Sequence, residues 1–357
     1  MEIKITRTTR PFAKPLAQEE AGTLGFGKYF SDHMFLMDYD EENGWHNARI
    51  EPYHPLELDP AATVLHYGQE IFEGMKAYRS KNDEILFFRA RKNAERWNQS
   101  AARMCMPTMD LDMYLEALNA IVNVERDWVP HAYGTSLVLR PAMIATDPFL
   151  GVHPSKKYLF FILCSPSGAY FKNGMNPVNI YVEEEYIRAA PGGTGFAKCG
   201  GNYAGSLLAA AKAEAKGYEQ VLWLDAKEHK YVEEVGGMNM MFVIDDTIIT
   251  APLDGTILPG VTRRSCLQLF EDWGMPVEER LISVDELFEA AANGTLEEAM
   301  CVGTAAVICP IGELTYEGKA YTINNFQTGP LAQKLYDTLT GIQWGTQPDP
   351  HGWTCKV

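Results

Sequence analysis

Hydrophobic and polar residues alternate along the chain with two periods, one typical of strands and the other of helices. Short apolar runs at Ile85–Phe88, Ser136–Arg140 and Tyr158–Cys164 predict buried strands. Asp110–Trp128 instead carries its apolar residues at helical spacing and is followed by Pro130, which predicts an amphipathic helix. The first half of the chain therefore combines both kinds of element.

The second half continues this mixture of strands and helices. Its apolar runs predict strands at Val178–Val182, Gln220–Asp225, Met241–Ile244 and Thr247–Thr250. Asp245–Asp246, between the last two strands, predicts a tight hairpin turn. The Ala-rich segment Tyr203–Lys216 predicts a helix that ends at Gly217, and Thr262–Trp273 predicts another. Both halves together indicate an α+β protein with mixed α/β elements.

The length of the chain suggests more than one domain. A chain of 357 residues corresponds to roughly two domains of about 150 residues each. Ser165–Gly174 reads SPSGAYFKNG and separates two strand-like runs, so it is the predicted junction. We predict a smaller N-terminal α/β domain over residues 1–165, a linker over 166–174 and a larger C-terminal domain over 175–357. A ligand would then lie between the two domains.

Composition narrows the range of partners. Lys plus Arg number 31 and Asp plus Glu number 47, which gives a formal net charge of −16. This charge would repel phosphate backbones and anionic lipid, so neither nucleic acid nor a membrane is an expected partner. No apolar run reaches the length of about 20 residues that spans a bilayer, and Met1–Pro15 lacks the apolar core of a signal peptide.

Cysteine and histidine usage points to reduced thiols and to no metal site. The seven cysteines are odd in number, irregularly spaced and without a CxxC pair. The eight histidines form no HExxH or other tight ligand pattern. We therefore expect a cytoplasmic protein with free thiols and no bound metal.

The most unusual segment is Ala190–Tyr203, which reads APGGTGFAKCGGNY and places five glycines around Lys198. Glycine backbone can approach a ligand closely, and a poorly hydrated lysine amine can form a Schiff base with a carbonyl. The alternative is a flexible glycine loop with a solvated lysine. A phosphate-binding P-loop does not fit, because Ala197 and Cys199 flank the lysine where that motif has Gly and Ser or Thr.

Three further segments have a candidate role and a plainer alternative. Glu233–Asn239 reads EEVGGMN and could supply a carboxylate to a ring nitrogen, or could hold solvated acids at a strand end. Leu258–Arg263 reads LPGVTR and could bind phosphate at a helix start, although many helices begin after Pro-Gly. Gly303–Ala306 reads GTAA and could hold another anion through Thr304, or could be an ordinary turn.

These segments, taken in order with three more, resemble the branched-chain amino-acid aminotransferases, which are pyridoxal-phosphate enzymes of fold type IV. The additional segments are Leu65–Tyr78, Phe87–Trp97 and Ser136–Pro141, and the resemblance extends from FGKYFSDHM (Phe26–Met34) to GIQWG near the C-terminus. It implies a two-domain fold with the active site between the domains, and a homodimer. It also implies reversible transfer of the amino group of leucine, isoleucine or valine to 2-oxoglutarate, giving branched-chain 2-oxo acids and L-glutamate.

The resemblance also assigns cofactor contacts. Lys198 matches the lysine that carries pyridoxal 5'-phosphate and shuttles the proton, and Tyr203 matches the tyrosine at its phenolic oxygen. Glu234, rather than Glu233, matches the acid at the pyridine nitrogen. The phosphate contacts match Arg96 (not Arg89), Leu258, Gly260, Val261, Thr262 and Thr304.

Substrate contacts follow from the same resemblance. Tyr67, Arg140 and the backbone of Thr304 and Ala305 match the side that binds the substrate carboxylates. The pocket walls match Phe26, Phe72, Tyr170 and Gly237, and Leu150 and Val152 match residues that reach into the partner subunit's pocket. Val138 stands where the family usually has a tyrosine, which removes a hydroxyl and leaves space beside the substrate. The redox CxxC pair of vertebrate mitochondrial members is reduced here to Cys309.

Two rival functions remain to be distinguished. One is another enzyme of the same fold, a D-amino-acid aminotransferase or an aminodeoxychorismate lyase, although those chains are typically shorter and lack the FGKYFSDHM start. The other is a catalytically silent, ligand-binding relative. The joint presence of Lys198, Tyr203, Glu234 and Arg96 argues against the silent relative.

Overall fold

The computed structural model describes residues 1–168 and 175–357. They form two compact units. The first contains the N-terminal part of the chain with Ala197–Gly200 and Gly341–Val357, and the second contains the segment before Ala197 and Gly201–Thr340. Two segments from the predicted C-terminal domain therefore pack in the first unit. Cys199 belongs to that unit's core, and Thr354–Lys356 forms a strand beside Ile85–Phe88.

The elements are numbered in chain order. The strands are β1 (Lys4–Ile5), β2 (His33–Asp40), β3 (Gly44–Pro52), β4 (Glu70–Phe72), β5 (Met75–Arg79), β6 (Ile85–Phe88), β7 (Ser136–Ala145), β8 (Lys157–Ser167), β9 (Val178–Val182), β10 (Gln220–Leu224), β11 (Val232–Val235), β12 (Met238–Ile244), β13 (Thr247–Thr250), β14 (Val277–Glu279), β15 (Leu296–Gly303), β16 (Val307–Tyr316), β17 (Lys319–Thr322) and β18 (Thr354–Lys356). The α-helices are α1 (Leu16–Glu20), α2 (Thr63–Tyr67), α3 (Ala90–Arg103), α4 (Leu111–Val124), α5 (Gly200–Ala204), α6 (Leu207–Glu214), α7 (Val261–Asp272), α8 (Val284–Asn293) and α9 (Pro330–Gln343), and 3₁₀ turns lie at Arg126–Trp128 and Asn324–Phe326.

The sheet of the first unit has two chemically different faces. Its strand order is β1-β3-β2-β8-β7-β5-β6-β18, with β4 paired to β7. Because side chains alternate along a strand, Leu137 and Leu139 of β7 enter the core, whereas Val138 and Arg140 lie on the other face. The core also contains Trp97 of α3 and other large side chains, including Phe35, Phe87, Tyr114 and Phe160. The face opposite the core therefore carries polar and charged residues.

The sheet of the second unit closes on itself. Its strand order is β11-β10-β9-β16-β15-β12-β13-β14, with β17 beside β16, and β11 also pairs with β12. β11 is thus hydrogen-bonded on both sides, to β10 and to β12. In the second pairing Glu234 lies opposite Asn239. The closure places the acid of the EEVGGMN segment within a continuous ring of strands.

Several elements confirm the predictions from the sequence. The strands Ile85–Phe88, Val178–Val182 and Thr247–Thr250 have the predicted bounds, and α7 begins and ends within one residue of Thr262–Trp273. The hairpin turn between β12 and β13 is also confirmed. Asp245 and Asp246 both adopt left-handed φ angles, of 48° and 58°, as a two-residue hairpin loop requires.

Three elements differ from the predictions. The helix predicted at Tyr203–Lys216 is divided into α5 and α6, because Gly205 lacks the side chain that would favour helix at the break. The helix predicted at Asp110–Trp128 is α-helical only to Val124 and continues as a 3₁₀ turn. β8 continues to Ser167, so the predicted linker begins as strand, and residues 169–174 lie outside the described part.

Within the described residues, no helix combines the length and the apolar character that crossing a membrane requires. All seven cysteines lie in the described part and are free thiols. Cys301 and Cys309 are direct cross-strand neighbours in the hairpin of β15 and β16, and both are fully buried.

Candidate active site

Lys198 lies in an extended segment whose neighbours are anchored in the first unit. Ala197 and Cys199 are buried, and the Cys199 side chain is part of the hydrophobic core. The alternation of an extended chain directs Lys198 away from that core. Its Nζ lies 4.8 Å from the centroid of the Phe72 ring. The glycine segment is therefore not a free loop around a solvated lysine.

Three hydrogen bonds fix the backbone beside Lys198. Its N–H donates to the hydroxyl of Ser100 at 2.9 Å, and its carbonyl accepts the N–H of Phe72 at 3.0 Å. The N–H of Gly200 donates to the Glu70 carboxylate. The sequence analysis did not identify Ser100 or Glu70, because their role depends on pairing across about 100 residues or more.

Arg140 shares the Phe72 ring with Lys198. The guanidinium carbon of Arg140 lies 4.8 Å from the ring centroid, a distance typical of a cation–π contact. Val138, two residues earlier on the same face, is paired in register with Lys76 and with Ser165. This face of the first unit therefore combines positive charge with an aromatic wall.

Lys76 is a buried cation that the sequence analysis did not identify. Burial lowers the pKa of its amine to about 8. The signal was a lysine between Met75 and Ala77, whose side chains both enter the core. The alternation therefore places Lys76 on the face that carries Val138.

Arg96 forms a buried ion pair with Glu73 in the first unit. Its Nε lies 2.7 Å from Oε1 and its Nη2 lies 2.9 Å from Oε2 of Glu73. Asn93 donates to the same carboxylate at 2.9 Å. Burial alone would raise the pKa of Glu73, but Arg96, Lys198 and Asn93 lower it below its ordinary value. Glu73 is therefore a buried carboxylate whose charged form these three residues stabilise, and the sequence analysis did not identify it.

Glu234 is the most completely held acid of the second unit. Its Oε1 accepts bonds from the Asn239 side chain at 2.9 Å and from the N–H of Leu258 at 3.1 Å. Its Oε2 lies 2.8 Å from Nε of Arg188. Arg188 also donates to the carbonyls of Thr256 and Gly195. The sequence analysis did not identify Arg188 or Asn239, although both lie in the segments that it examined or next to them.

The adjacent acid, Glu233, has a different environment. Its Oε2 is buried without a hydrogen-bond partner. Burial raises the pKa of this carboxyl to about 7, although Thr256 and Arg188 oppose the shift. The two neighbouring glutamates therefore differ in the charge they favour near neutral pH.

The start of α7 has the geometry of an anion site. Gly260 is its N-cap residue and no side chain caps the helix. Unpaired N–H groups at a helix start and its dipole both favour negative charge. A Cβ at Gly260 would overlap Oδ1 of Asn239, so the missing side chain permits the close packing of Asn239. Val261 and Thr262, both buried, form the first turn.

Two small-residue turns complete the predicted site in the second unit. Thr304 and Ala305 lie in the turn between β15 and β16, and Val307 after them has a φ of +64°, which is strained for a β-branched residue. A Cβ at Gly237 would lie 3.3 Å from Cε1 of Tyr203, so glycine keeps the face of that tyrosine open.

The remaining predicted residues lie at an exposed part of the first unit. The hydroxyl of Tyr67 donates to the carbonyl of Leu150. Leu150 and Val152 are 63% and 83% exposed, although both are apolar. Phe26 is half-buried, and Tyr170 lies outside the described residues. Over residues 1–168 and 175–357, no group of three or more His, Cys, Asp and Glu side chains could hold a metal ion.

Comparison with known proteins gives consistent results along the whole chain. The family model for amino-transferases of class IV matches residues 70–314. Branched-chain-amino-acid aminotransferase 2 of Bacillus subtilis (strain 168) is 51% identical over 357 residues, covering 100% of this chain and 97% of that protein. The crystal structure of the Escherichia coli branched-chain amino acid aminotransferase matches with a TM-score of 0.77 and 26% identity, covering 90% of this chain and 98% of that one. The T.th. branched-chain amino acid aminotransferase, solved with pyridoxamine 5'-phosphate, gives 0.75 and 26%, covering 89% and 97%.

Proposed function

The chain belongs to the class IV aminotransferase family, and from that premise we propose that it transfers the amino group of leucine, isoleucine or valine to 2-oxoglutarate. The products are the branched-chain 2-oxo acids and L-glutamate, and the reaction is reversible. The observation that carries the proposal is the placement of Lys198. Its backbone is fixed by three hydrogen bonds, and its amine lies against the same aromatic ring as Arg140.

Pyridoxal 5'-phosphate is the proposed cofactor, and the donor set fits it. Lys198 would hold its aldehyde carbon, Glu234 its pyridine nitrogen and Tyr203 its phenolic oxygen. The first turn of α7, with Leu258, Gly260, Val261 and Thr262, would bind its phosphate together with Arg96 and Thr304. The start of α7 supports the phosphate role, because it offers N–H donors that no side chain caps.

The residues of the chain account for the chemistry required at the substrate. The cofactor, when bound, supplies an electron sink for charge that develops at the α-carbon. Lys198 is the general base that removes the α-proton and later returns it. Glu234 keeps the pyridine nitrogen protonated, and Arg188 and Asn239 hold this carboxylate in its charged form.

Substrate binding is proposed for the charged and aromatic face of the first unit. Phe26, Phe72 and Tyr170 provide an aromatic wall for the apolar side chain, and Gly237 leaves space beside it. Arg140 pairs with the second carboxylate of glutamate in the other half-reaction, and Tyr67, Thr304 and Ala305 bind on the carboxylate side. Val138 leaves more room than a tyrosine would, so phenylalanine belongs in the panel of donors.

We also propose a homodimer in which Leu150 and Val152 enter the pocket of the partner subunit. Their exposure supports this role, because a stable monomer rarely leaves such apolar side chains uncovered in a cluster. A cytoplasmic location is proposed as well. It is supported by the seven free thiols, of which Cys301 and Cys309 are neighbours without a bond.

The test uses the purified protein with pyridoxal phosphate. Absorbance should reveal a cofactor band that sodium borohydride removes, and peptide mapping should find the label on Lys198. A panel of L- and D-amino donors with 2-oxoglutarate then identifies the activity. Preference for L-leucine, L-isoleucine and L-valine supports the proposal. Preference for a D-amino acid would favour the other enzyme of this fold, and binding without turnover would favour the silent relative.

A further inference from the structure

The backbone on both sides of Lys198 is held by side chains from two separate elements. Ser100 of α3 is fully buried and accepts the N–H of Lys198 itself. Glu70 of β4 accepts the N–H of Gly200, two residues later. Phe72, also on β4, donates its N–H to the carbonyl of Lys198. β4 therefore contacts the lysine segment through a backbone bond, an aromatic ring and a carboxylate.

Glu70 is the unusual member of this set, because a carboxylate is costly to bury. It is half-buried on the same face of β4 as Phe72. Burial raises the pKa of Glu70, while the Gly200 N–H and then the charge of Arg140 lower it. The carboxylate therefore faces both the lysine segment and a proposed substrate-binding cation.

Gly200 and Glu70 fit each other sterically. A Cβ built at Gly200 would overlap Oε1 of Glu70. No residue with a side chain can occupy position 200 while the carboxylate keeps its bond to the backbone. The two positions are thus coupled, so a change at either one should displace the other.

We propose that Glu70 is a positioning residue, whose carboxylate oxygen fixes the turn after Lys198 and thereby directs the lysine amine towards the Phe72 ring. The proposal rests on the proposed function, since it concerns the amine that would hold pyridoxal phosphate. Glu70 acts through the backbone of Gly200 and does not itself touch the reacting atoms.

The test measures the reactivity of the amine directly. Cofactor-free protein is mixed with pyridoxal phosphate and sodium cyanoborohydride, and the rate of labelling at Lys198 is followed by peptide mass spectrometry. In Glu70→Ala the rate should fall at least ten-fold. In Glu70→Gln, whose amide oxygen can still accept the Gly200 N–H, the rate should stay within about three-fold of the wild type. Steady-state kinetics should show a lower kcat in Glu70→Ala and a KM for leucine within about two-fold.

A matched control separates positioning from a general loss of stability. Glu298 is another buried carboxylate that accepts backbone N–H groups, from Leu331 and Ala332, and its pKa is also raised by burial. Glu298→Ala should lower the melting temperature without changing the labelling rate. If Glu70→Ala does not fold, Gly200→Ala takes its place, because the new Cβ displaces the same carboxylate.

The outcomes distinguish this inference from the proposed function. A wild type that is never labelled at Lys198 would contradict the proposed function. A wild type that is labelled, with Glu70→Ala and Gly200→Ala labelled at the same rate, would overturn only the role of Glu70. Glu70→Gln as slow as Glu70→Ala would also overturn it, since charge rather than the hydrogen bond would then set the reactivity.

Discussion

Glu233 and Glu234 are neighbours in sequence, yet their side chains have different partners. Glu234 has two hydrogen-bond donors and an arginine, whereas one oxygen of Glu233 has no partner. Adjacent residues of a strand point to opposite sides, so a single position decides which of the two acids faces this network. The sequence presents both as equivalent EE, and only the resemblance to a family distinguished them.

The first prediction concerns the charge of Glu234. Glu234→Gln keeps the shape but removes the charge that holds a proton on the ring nitrogen. The loss of one charged hydrogen bond, about 1.5–3 kcal/mol, lowers kcat by about ten- to a hundred-fold. Stopped-flow measurement of α-proton loss from leucine checks this expectation. Glu233→Gln is the matched control, and a larger effect in that variant would show that the two acids have been assigned in the wrong order.

The second prediction concerns the pH dependence of stability at Glu233. Its pKa in the folded protein is about 7, above the ordinary value of 4.5. The folded state therefore binds more protons between these values, so this group's contribution to stability is complete below about pH 4.5 and is lost as the pH rises through about 7. A shift of this size corresponds to at most about 3 kcal/mol.

Urea denaturation of wild type and Glu233→Gln at pH values from 4.5 to 8 measures this effect. The difference in unfolding free energy should change in favour of the variant as the pH rises. Contributions from other groups cancel in the comparison. A difference that is independent of pH would show that Glu233 is ionised throughout.

At the scale of elements, local patterns were predictable and long-range pairings were not. Alternation and turn residues were enough to predict the hairpin at Asp245–Asp246 and the helix after Gly260. No local pattern could show that Thr354–Lys356 adds a strand beside Ile85–Phe88, or that Glu73 pairs with Arg96. These contacts depend on which elements the fold brings together, and the chain carries no local signal for that.

The third prediction concerns the start of α7. Gly260→Ala places a Cβ on Oδ1 of Asn239 and so disturbs the bonds from that side chain to Glu234 and Leu258. The dissociation constant for pyridoxal phosphate should rise at least ten-fold, which is about 1.4 kcal/mol. Fluorescence titration of cofactor-free protein measures it.

A control at another helix start separates cofactor binding from helix stability. Ser283 caps α8 by accepting the N–H of Glu286. Ser283→Ala should cost about 1 kcal/mol of unfolding free energy and leave the cofactor affinity unchanged. If both variants weakened the cofactor equally, α7 would have no special role in binding it.

At the scale of the whole molecule, the exposed apolar residues predict assembly. Leu150 and Val152 are joined by other exposed apolar side chains, Phe149 and Leu65, in the same unit. Val152→Asp places a charge in this cluster and should shift the protein towards monomers with a large loss of activity. Light scattering and a leucine assay measure the two effects together. Val152→Thr is the near-isosteric control and should remain dimeric, whereas a fully active Val152→Asp monomer would contradict the shared site.

The closed sheet of the second unit has a consequence for exchange with solvent deuterium. β11 has no open edge, because β10 and β12 pair with its two sides. Its amides exchange only when neighbouring strands separate, so Val232–Val235 should be among the slowest segments, while β14 at the end of the strand order exchanges early. Mass spectrometry of cofactor-free protein measures this order, and fast exchange in Val232–Val235 would contradict it. The acid proposed to meet the cofactor is then already held in place before any ligand arrives, so binding need not pay for its ordering.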